Sequence, residues 1–508
     1  MANRKTCLLA IDAGTTHCKV GVFSSDGDPL LTTSLPTPIS TAAQGFRFIP
    51  PEELWSGIAG AIAEFKCTER SFDVAGIGIA STAESGLLVD RSDGSARSVI
   101  FPWFDTTAGE QIEAIQKASQ QTGESGSREQ FLNFGIYPSF KCSLAKILWA
   151  RQNLAADLRN AVWLSVADFI ANRLAGCFAT DYSLAGRTYA FRIIEKTWDA
   201  DWLKQFDLPT ELFPTALPAG RSAGRLLPGP ARALDLPAGL PVSIAGHDHI
   251  CAALAVGAIT PGIVLDSMGT AEAMVGAIPE RALSDADYQS GFSIGCHVAP
   301  GSLYWIGGLS TSGGAVDWLR KTVSEGGLSY EELASILEKS PQETGEVLFF
   351  PYLAGSGSPH PDQEVRGAFV GLTLRHQLPD LVKAVLEGTA FEVELMRLKG
   401  EALTGQPIDR LIATGGGVRI PRWMQIKADV TGCCYELAQT PEAVLLGAAL
   451  IAGTGAGLYS GVEEGLKAIT RPAESIYLPD AERHARYQAQ FEGGFLKLQQ
   501  PLRNYYRK

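Results

Sequence analysis

The sequence lacks the features that define several common protein classes. No Cys-x-x-Cys pair occurs among its nine cysteines, at 7, 18, 67, 142, 177, 251, 296, 433 and 434. The odd total and the missing paired spacing argue for reduced thiols and against a disulfide or zinc framework. Basic excess is missing too: the formal net charge is −12 and the pI is near 5.2. That excludes a general binder of nucleic acid or anionic membrane, whose footprint is basic. An anionic ligand must be held by local devices instead. No apolar run is long enough to span a membrane; the longest, Ala443 to Ala452, is rich in Ala and Gly and reads as a packed core helix. The early run Leu8 to Ile11 is cut by Asp12 before it reaches signal-peptide length. Nor is there a Gly-x-x-x-x-Gly-Lys-Ser/Thr segment, so any nucleotide is bound by an architecture other than a P-loop.

What is present is a chain of 508 residues, 45% hydrophobic and 19% charged, long enough for two or three domains with sizeable cores. Two stretches half a chain apart look alike. Leu9-Ala-Ile-Asp12-Ala-Gly14-Thr15 and Ile263-Val-Leu-Asp266-Ser-Met-Gly269-Thr270 each read as an apolar strand, an Asp, a short spacer and Gly-Thr. The repetition predicts a duplication that gives two related α/β domains. In the first, Thr6 to Ile11 and Val20 to Phe23 read as the arms of a hairpin whose tip suits phosphate. Gly14 lets backbone approach an anion, Thr15 and Thr16 supply N–H and hydroxyl donors, Lys19 adds charge, and Asp12 can hold hydrated Mg²⁺. In the second, a Met268-Gly269-Thr270 turn offers backbone N–H groups. Ordinary hairpins with Gly and Thr at the tip are the alternative.

Leu240 to Ala245 reads as a strand carrying Asp248 to its end, beside a cleft, where one carboxylate suits proton abstraction from a hydroxyl. A helix-capping Asp is the alternative. His247 and His249 flank it. In an extended strand they would point away from Asp248, and no further ligand cluster accompanies them, so a general base is favoured over a metal triplet. Downstream, Gly415-Gly-Gly417 follows the strand Ile408 to Thr414 and lets backbone lie against adenine or ribose, and Pro441-Glu-Ala-Val-Leu-Leu-Gly447 opens the last core helix. Tyr487, Phe491, Phe495 and Leu498 fall at helical spacing, as in a closing amphipathic helix.

Five ordered motifs, Asp12-Ala-Gly-Thr-Thr, Gly246-His-Asp248, Met268-Gly-Thr270, Gly415-Gly-Gly417 and Glu442-Ala-Val-Leu-Leu-Gly-Ala-Ala449, make the chain resemble the FGGY carbohydrate kinases over nearly its whole length. That family belongs to the actin, Hsp70 and hexokinase superfamily. The resemblance implies an α/β fold of two actin-like (ribonuclease H-like) domains flanking a catalytic cleft. An N-terminal sugar-binding domain over 1–244 would be followed by a nucleotide-binding domain over 245–475 and a packing helix over 476–508. It implies an ATP- and Mg²⁺-dependent cytoplasmic kinase of a small polyol or ketose, with Asp248 as general base and Asp12 and Asp248 near the metal. It further implies substrate contacts from Glu84, Trp103, Asp105, Tyr137 and Asp248, and nucleotide contacts from Asp12, Gly14, Thr15, Thr16, Lys19, Gly269, Thr270, Gly313, Gly416 and Gly417. Sugar C–H faces pack on an aromatic while hydroxyls need paired polar groups; core packing for Trp103, a solvated loop for Glu84 and a fold-stabilising role for Asp105 are the alternatives. Thr107 stands where many relatives carry Arg, and the loop at Glu84 does not read Gln-Met-His-Gly. Both depart from xylulose kinases, and Glu84 with Trp103 resembles the glycerol kinase pairing. Expected partners are a sugar or polyol and ATP/ADP, with no nucleic acid or membrane; a homodimer is left open. A non-catalytic sugar or nucleotide sensor is the alternative from another class.

Overall fold

The computed structural model describes residues 5–507 apart from 44, 68, 69, 71, 122–125, 155, 156, 341–344 and 441. Its first half is organised around β1 (Lys5–Ala13), buried from Cys7 to Ala13 as a strand covered on both faces must be. β1 runs antiparallel to β2 (His17–Ser24), which pairs with β3 (Pro29–Pro36). On its other side it runs parallel to β4 (Phe72–Ser81). A short β5 (Gly224–Arg225) and β6 (Pro241–His247) complete a sheet of order β5-β6-β4-β1-β2-β3. Helix α1 (Pro51–Ala63), opened by Pro51 with Glu52 and Glu53 in its first turn, packs against β2 and β3. α2 (Tyr182–Ala185) and α3 (Asp248–Ala255) flank β6.

The second half repeats this plan. β7 (Ile263–Met268) is antiparallel to β8 (Glu272–Pro279) and parallel to β11 (Arg410–Thr414). β9 (Ser293–Cys296), β10 (Ser302–Leu309), β12 (Cys434–Leu437) and β13 (Ser475–Tyr477) extend it to the order β9-β10-β8-β7-β11-β12-β13. A central hairpin whose first strand pairs in parallel with a later strand is thus common to both sheets, as the repeated Asp…Gly-Thr motif predicts. Helices of the second half include α4 (Gly313–Thr322), α5 (Leu378–Thr404), α6 (Pro421–Thr431), α7 (Ala443–Gly455), α8 (Ala481–Gln490) and α9 (Leu496–Tyr506).

One core cluster joins the two halves. It holds Leu8 and Ala10 of β1, Leu265 of β7, Val275 of β8, and the apolar faces of α3 and α7. The 244/245 division falls inside β6, and α3 and α7, which lie C-terminal to it, both pack on the first sheet. Close approach is possible because Gly78 and Gly447 carry no side chain: a Cβ on either would fall 2.0 Å from the carbonyl oxygen of Ala448 or Cys251. α7 is apolar nearly all round, the pattern of a helix enclosed on every side. Pro441, read as its first residue, lies outside the described residues. The expected closing helix runs without a break as α8, a π-helical turn over Phe491–Phe495, and α9; Phe491 packs on Phe391 and Phe495 on Phe350.

Candidate active site

Three structural pieces meet between the sheets. The first is the tip of the β1–β2 hairpin. Gly14 is required there, since a Cβ would sit 2.6 Å from the His17 carbonyl oxygen. Thr37, the residue after β3, braces the tip, its N–H on the Thr16 carbonyl at 2.9 Å and its Oγ1 on the Gly14 carbonyl at 2.8 Å. Among the described residues the amide N–H groups of Gly14, Thr15 and Thr16 meet no protein acceptor, which leaves a donor nest suited to an anion. Lys19 faces Asp12 across the hairpin, but its ammonium is held by Glu442 at 2.7 Å, the residue that caps α7.

The second piece carries the carboxylates. β6 ends at His247, and Asp248 begins α3 rather than continuing the strand. This corrects the expectation that the histidines point away from it. The chain turns into a helix at that residue, so His247 Nε2 lies 3.2 Å from Asp248 Oδ1 and the His249 N–H donates to the same oxygen at 2.7 Å. The turn depends on Gly246 at φ 113°, where a Cβ would meet Ser183 Oγ at 2.5 Å. Ser183 in turn accepts the His247 N–H at 2.9 Å, and Asp181 caps α2 beneath it. Burial pushes the Asp248 carboxyl up, but His249 and His247 outweigh it and hold the group below its ordinary value. Asp12 behaves in the opposite way: burial and then the charge of Asp248, only partly offset by Lys19, push it up to about 8, and its Oδ1 has no protein partner. Two carboxylates that face each other with an unsatisfied buried oxygen fit a hydrated Mg²⁺, which takes one or two carboxylates and completes its shell with water and phosphate. No group of three or more His, Cys, Asp or Glu side chains placed to share a metal occurs among the described residues.

The third piece is the acceptor wall. Glu84 adopts φ 59°, a left-handed conformation costly for a residue with a Cβ. It is held there from both ends: Lys146 Nζ donates to its carbonyl at 2.5 Å, and Arg187 Nε donates to its carboxylate at 2.8 Å. Burial raises the Glu84 carboxyl, but Arg187, His247 and Lys141 outweigh that and keep it below its ordinary range. Trp103 places its Nε1 2.8 Å from Thr15 Oγ1 and its ring 5.1 Å from the Lys141 ammonium. Asp105 is drawn inward: it accepts from the Arg47 N–H at 2.7 Å and from the N–H and hydroxyl of Thr107, the pattern of a loop clamp. Tyr137 packs on Phe131 and its hydroxyl donates to the Tyr288 carbonyl, tying the two halves of the chain together. Arg187, Lys141 and Lys146 are the polar groups sequence reasoning missed. Arg187 comes from the turn after α2, far from Glu84 in sequence, and no local pattern announces it.

The expected nucleotide residues come together on the other side. Met268, Gly269, Thr270, Gly313, Gly416 and Gly417 line one cavity of about 180 Å³, with Asp317, Tyr330 and Trp423. The second hairpin is bolted to α4: Ser312 and Gly314 N–H bond the Thr270 carbonyl and Gly313 N–H bonds that of Gly269. Gly269 spends its own N–H on the Ala271 carbonyl at 2.9 Å, so the turn offers fewer free donors than the first hairpin. Beneath it lies Lys427, fully buried and bonded to Asp266 at 3.2 Å and to Glu272, which also bonds Ser312 Oγ. Asp266, the counterpart of Asp12, is therefore neutralised by a lysine where Asp12 is left open.

Comparison with known proteins agrees with this geometry. The N-terminal domain of the FGGY family of carbohydrate kinases matches residues 7–255 and its C-terminal domain residues 267–456. The first match includes Asp248 and α3. A xylulose kinase of Lactococcus lactis is 28% identical over 95% of this chain and 94% of its own length, and a glycerol kinase of Gloeobacter violaceus is 27% identical over 95% and 94%. In fold, a ligand-bound xylulose kinase of Lactobacillus acidophilus superposes with a TM-score of 0.89 at 19% identity, covering 99% of each chain. The Plasmodium falciparum glycerol kinase crystallised with ADP gives 0.86 at 20% identity, covering 97% of this chain and 98% of its own. The chain belongs to the FGGY family of carbohydrate kinases, phosphotransferases whose acceptor is an alcohol group, built on two actin-like domains.

Proposed function

We infer that this kinase transfers the γ-phosphoryl group of Mg-ATP to a hydroxyl of a small polyol or sugar, with Asp248 taking the hydroxyl proton. The observation that carries this reading is the setting of Asp248: it opens α3 at the end of β6, flanked by His247 and His249, near a buried Asp12 whose charge Lys19 offsets only in part and whose Oδ1 has no protein partner. A base aimed at an attacking hydroxyl lowers the cost of forming the new P–O bond, while most of the remaining catalysis in phosphoryl transfer is positioning and charge neutralisation. Asp12 and Asp248 would hold Mg²⁺, which when bound neutralises the phosphate charge. Free amides at Gly14–Thr16 suit the terminal phosphate, and the 180 Å³ cavity suits the nucleoside end. The acceptor would lie on Trp103 with hydroxyls toward Glu84 and Arg187. Relatives named xylulose kinase and glycerol kinase support a substrate of three to five carbons. Closure of the two halves would keep the γ-phosphate from water.

The test is ADP release with Mg-ATP against polyols, ketoses and aldonic acids, read with the mass of the phosphorylated product. Turnover on one series supports the reading. ATP binding without product on any acceptor would favour a sensor of the same superfamily.

A further inference from the structure

The amine of a lysine is expensive to take out of water unless it is bonded. Lys146, on the helix Ser143–Asn153, is 2% exposed. Four titratable groups face it: Glu84 from the loop after β4, Asp105 from the loop of Trp103, and Lys141 with the Cys142 thiol from the turn that opens its own helix. Burial outweighs the two acids and brings its ammonium down to about 7. Its Nζ donates to the Glu84 carbonyl at 2.5 Å and to the Lys141 carbonyl at 2.9 Å. A lysine amine keeps two N–H groups even without its extra proton, so both bonds outlast a change of charge. Lys146 therefore grips backbone, and what it grips is the acceptor wall. Glu84 sits at φ 59°, a conformation that a residue with a Cβ holds only when its surroundings impose it. The charges of Glu84 and Asp248 both act on His249, so the two acids flank one imidazole. Ser85, the next residue, accepts the Trp103 N–H at 3.0 Å, and a shift at Glu84 would carry the Trp103 loop with it.

We propose that Lys146 is a positioning residue of the acceptor site: by pinning the Glu84 carbonyl it fixes the left-handed turn that aims the Glu84 carboxylate at one acceptor hydroxyl, and so sets which epimer is accepted. The proposal rests on the kinase reading above and adds a residue that acts on specificity without touching substrate. Arg187 holds the far end of Glu84 through its side chain, but a side-chain clamp cannot by itself keep the backbone at φ 59°. A carboxylate placed a few tenths of an ångström away loses one hydrogen bond to the matched epimer and nothing to the mismatched one. Discrimination then falls while the nucleotide site, built on other segments, is unchanged.

The experiment compares C4 and C5 polyols and ketoses that differ in configuration at one hydroxyl, as acceptors for the wild-type enzyme and for Lys146→Met, which keeps the side-chain length and removes both donors. Mg-ATP binding is followed by calorimetry. Lys146→Met is expected to raise the KM of the preferred epimer about three- to tenfold and to shrink the ratio of kcat/KM between epimers by a similar factor. The Mg-ATP Kd should stay within about twofold of wild type. If Lys146→Met fails to bind Mg-ATP, Lys146→Gln, which keeps an N–H₂ donor on a shorter arm, is read by the same criteria. Equal losses on both epimers, an unchanged acceptor KM, or a wild type that does not distinguish the epimers overturns the proposal and leaves the kinase reading standing. No ADP from wild type with any acceptor, while Mg-ATP binds, overturns both.

Discussion

The indole Nε1 of Trp103 donates to Thr15 Oγ1 at 2.8 Å, so the acceptor wall and the first phosphate hairpin share a hydrogen bond. On the proposed reading one side chain would pack the substrate and also orient a hydroxyl at the phosphate site. Trp103→Phe keeps the ring and removes the bond. Both the acceptor and the ATP KM should rise, by roughly two- to tenfold each for the loss of one hydrogen bond. A change confined to the acceptor KM would show that Thr15 does not meet phosphate.

Gly313 has no room for a side chain. A Cβ there would stand 2.5 Å from the Gly269 carbonyl oxygen and push the second hairpin away from α4. Gly313→Ala should weaken nucleotide binding about tenfold or more in calorimetry, with the acceptor KM unchanged. Unaltered ATP affinity would detach this junction from the nucleotide site.

Lys427 neutralises Asp266 and Glu272 in a fully buried cluster. Burial and the charge of Asp266 push the Glu272 carboxyl up despite Lys427. Lys427→Met leaves these acids without a cation and should cost about 3–5 kcal/mol of stability in denaturant melts. Adding Asp266→Asn and Glu272→Gln should recover most of it. If the triple variant is no more stable than Lys427→Met, charge balance is not what Lys427 supplies.

The C-terminal helices dock on α5 through buried acids. Glu392 accepts from the Tyr352 hydroxyl at 2.7 Å and from Gln499 Nε2 at 3.2 Å, and burial lifts its carboxyl from 4.5 to about 7. A carboxyl that keeps its proton more firmly in the folded chain favours folding most below 4.5, and that contribution is lost as pH rises through 7. Glu392→Gln should remove this loss, worth at most about 3 kcal/mol, so its thermal midpoint should fall less than wild type between pH 5 and 8. Parallel pH profiles for the two proteins would contradict the assignment.

Motifs that act through their own backbone were legible in the sequence. The repeated Asp…Gly-Thr stretches gave both central hairpins, and Gly269, Thr270, Gly313, Gly416 and Gly417 line one cavity although they come from three separate segments. Long-range charge pairing was not legible. Lys19 reads as a phosphate ligand because it sits near a Gly-Thr tip, whereas its partner Glu442 is more than four hundred residues away in sequence. Arg187 on Glu84 and Lys427 on Asp266 are of the same kind. Asp248 was read at the end of a strand, and the period-two argument that turned its flanking histidines away takes no account of a helix beginning at that residue.

The central claim is that Asp248 accepts the proton of the attacking hydroxyl. The most direct test is Asp248→Asn, assayed for acceptor phosphorylation by product mass and for Mg-ATP and acceptor binding by calorimetry. The account predicts a fall in kcat of about 10²–10⁴-fold with both ligands still bound. Turnover at the wild-type rate would contradict it.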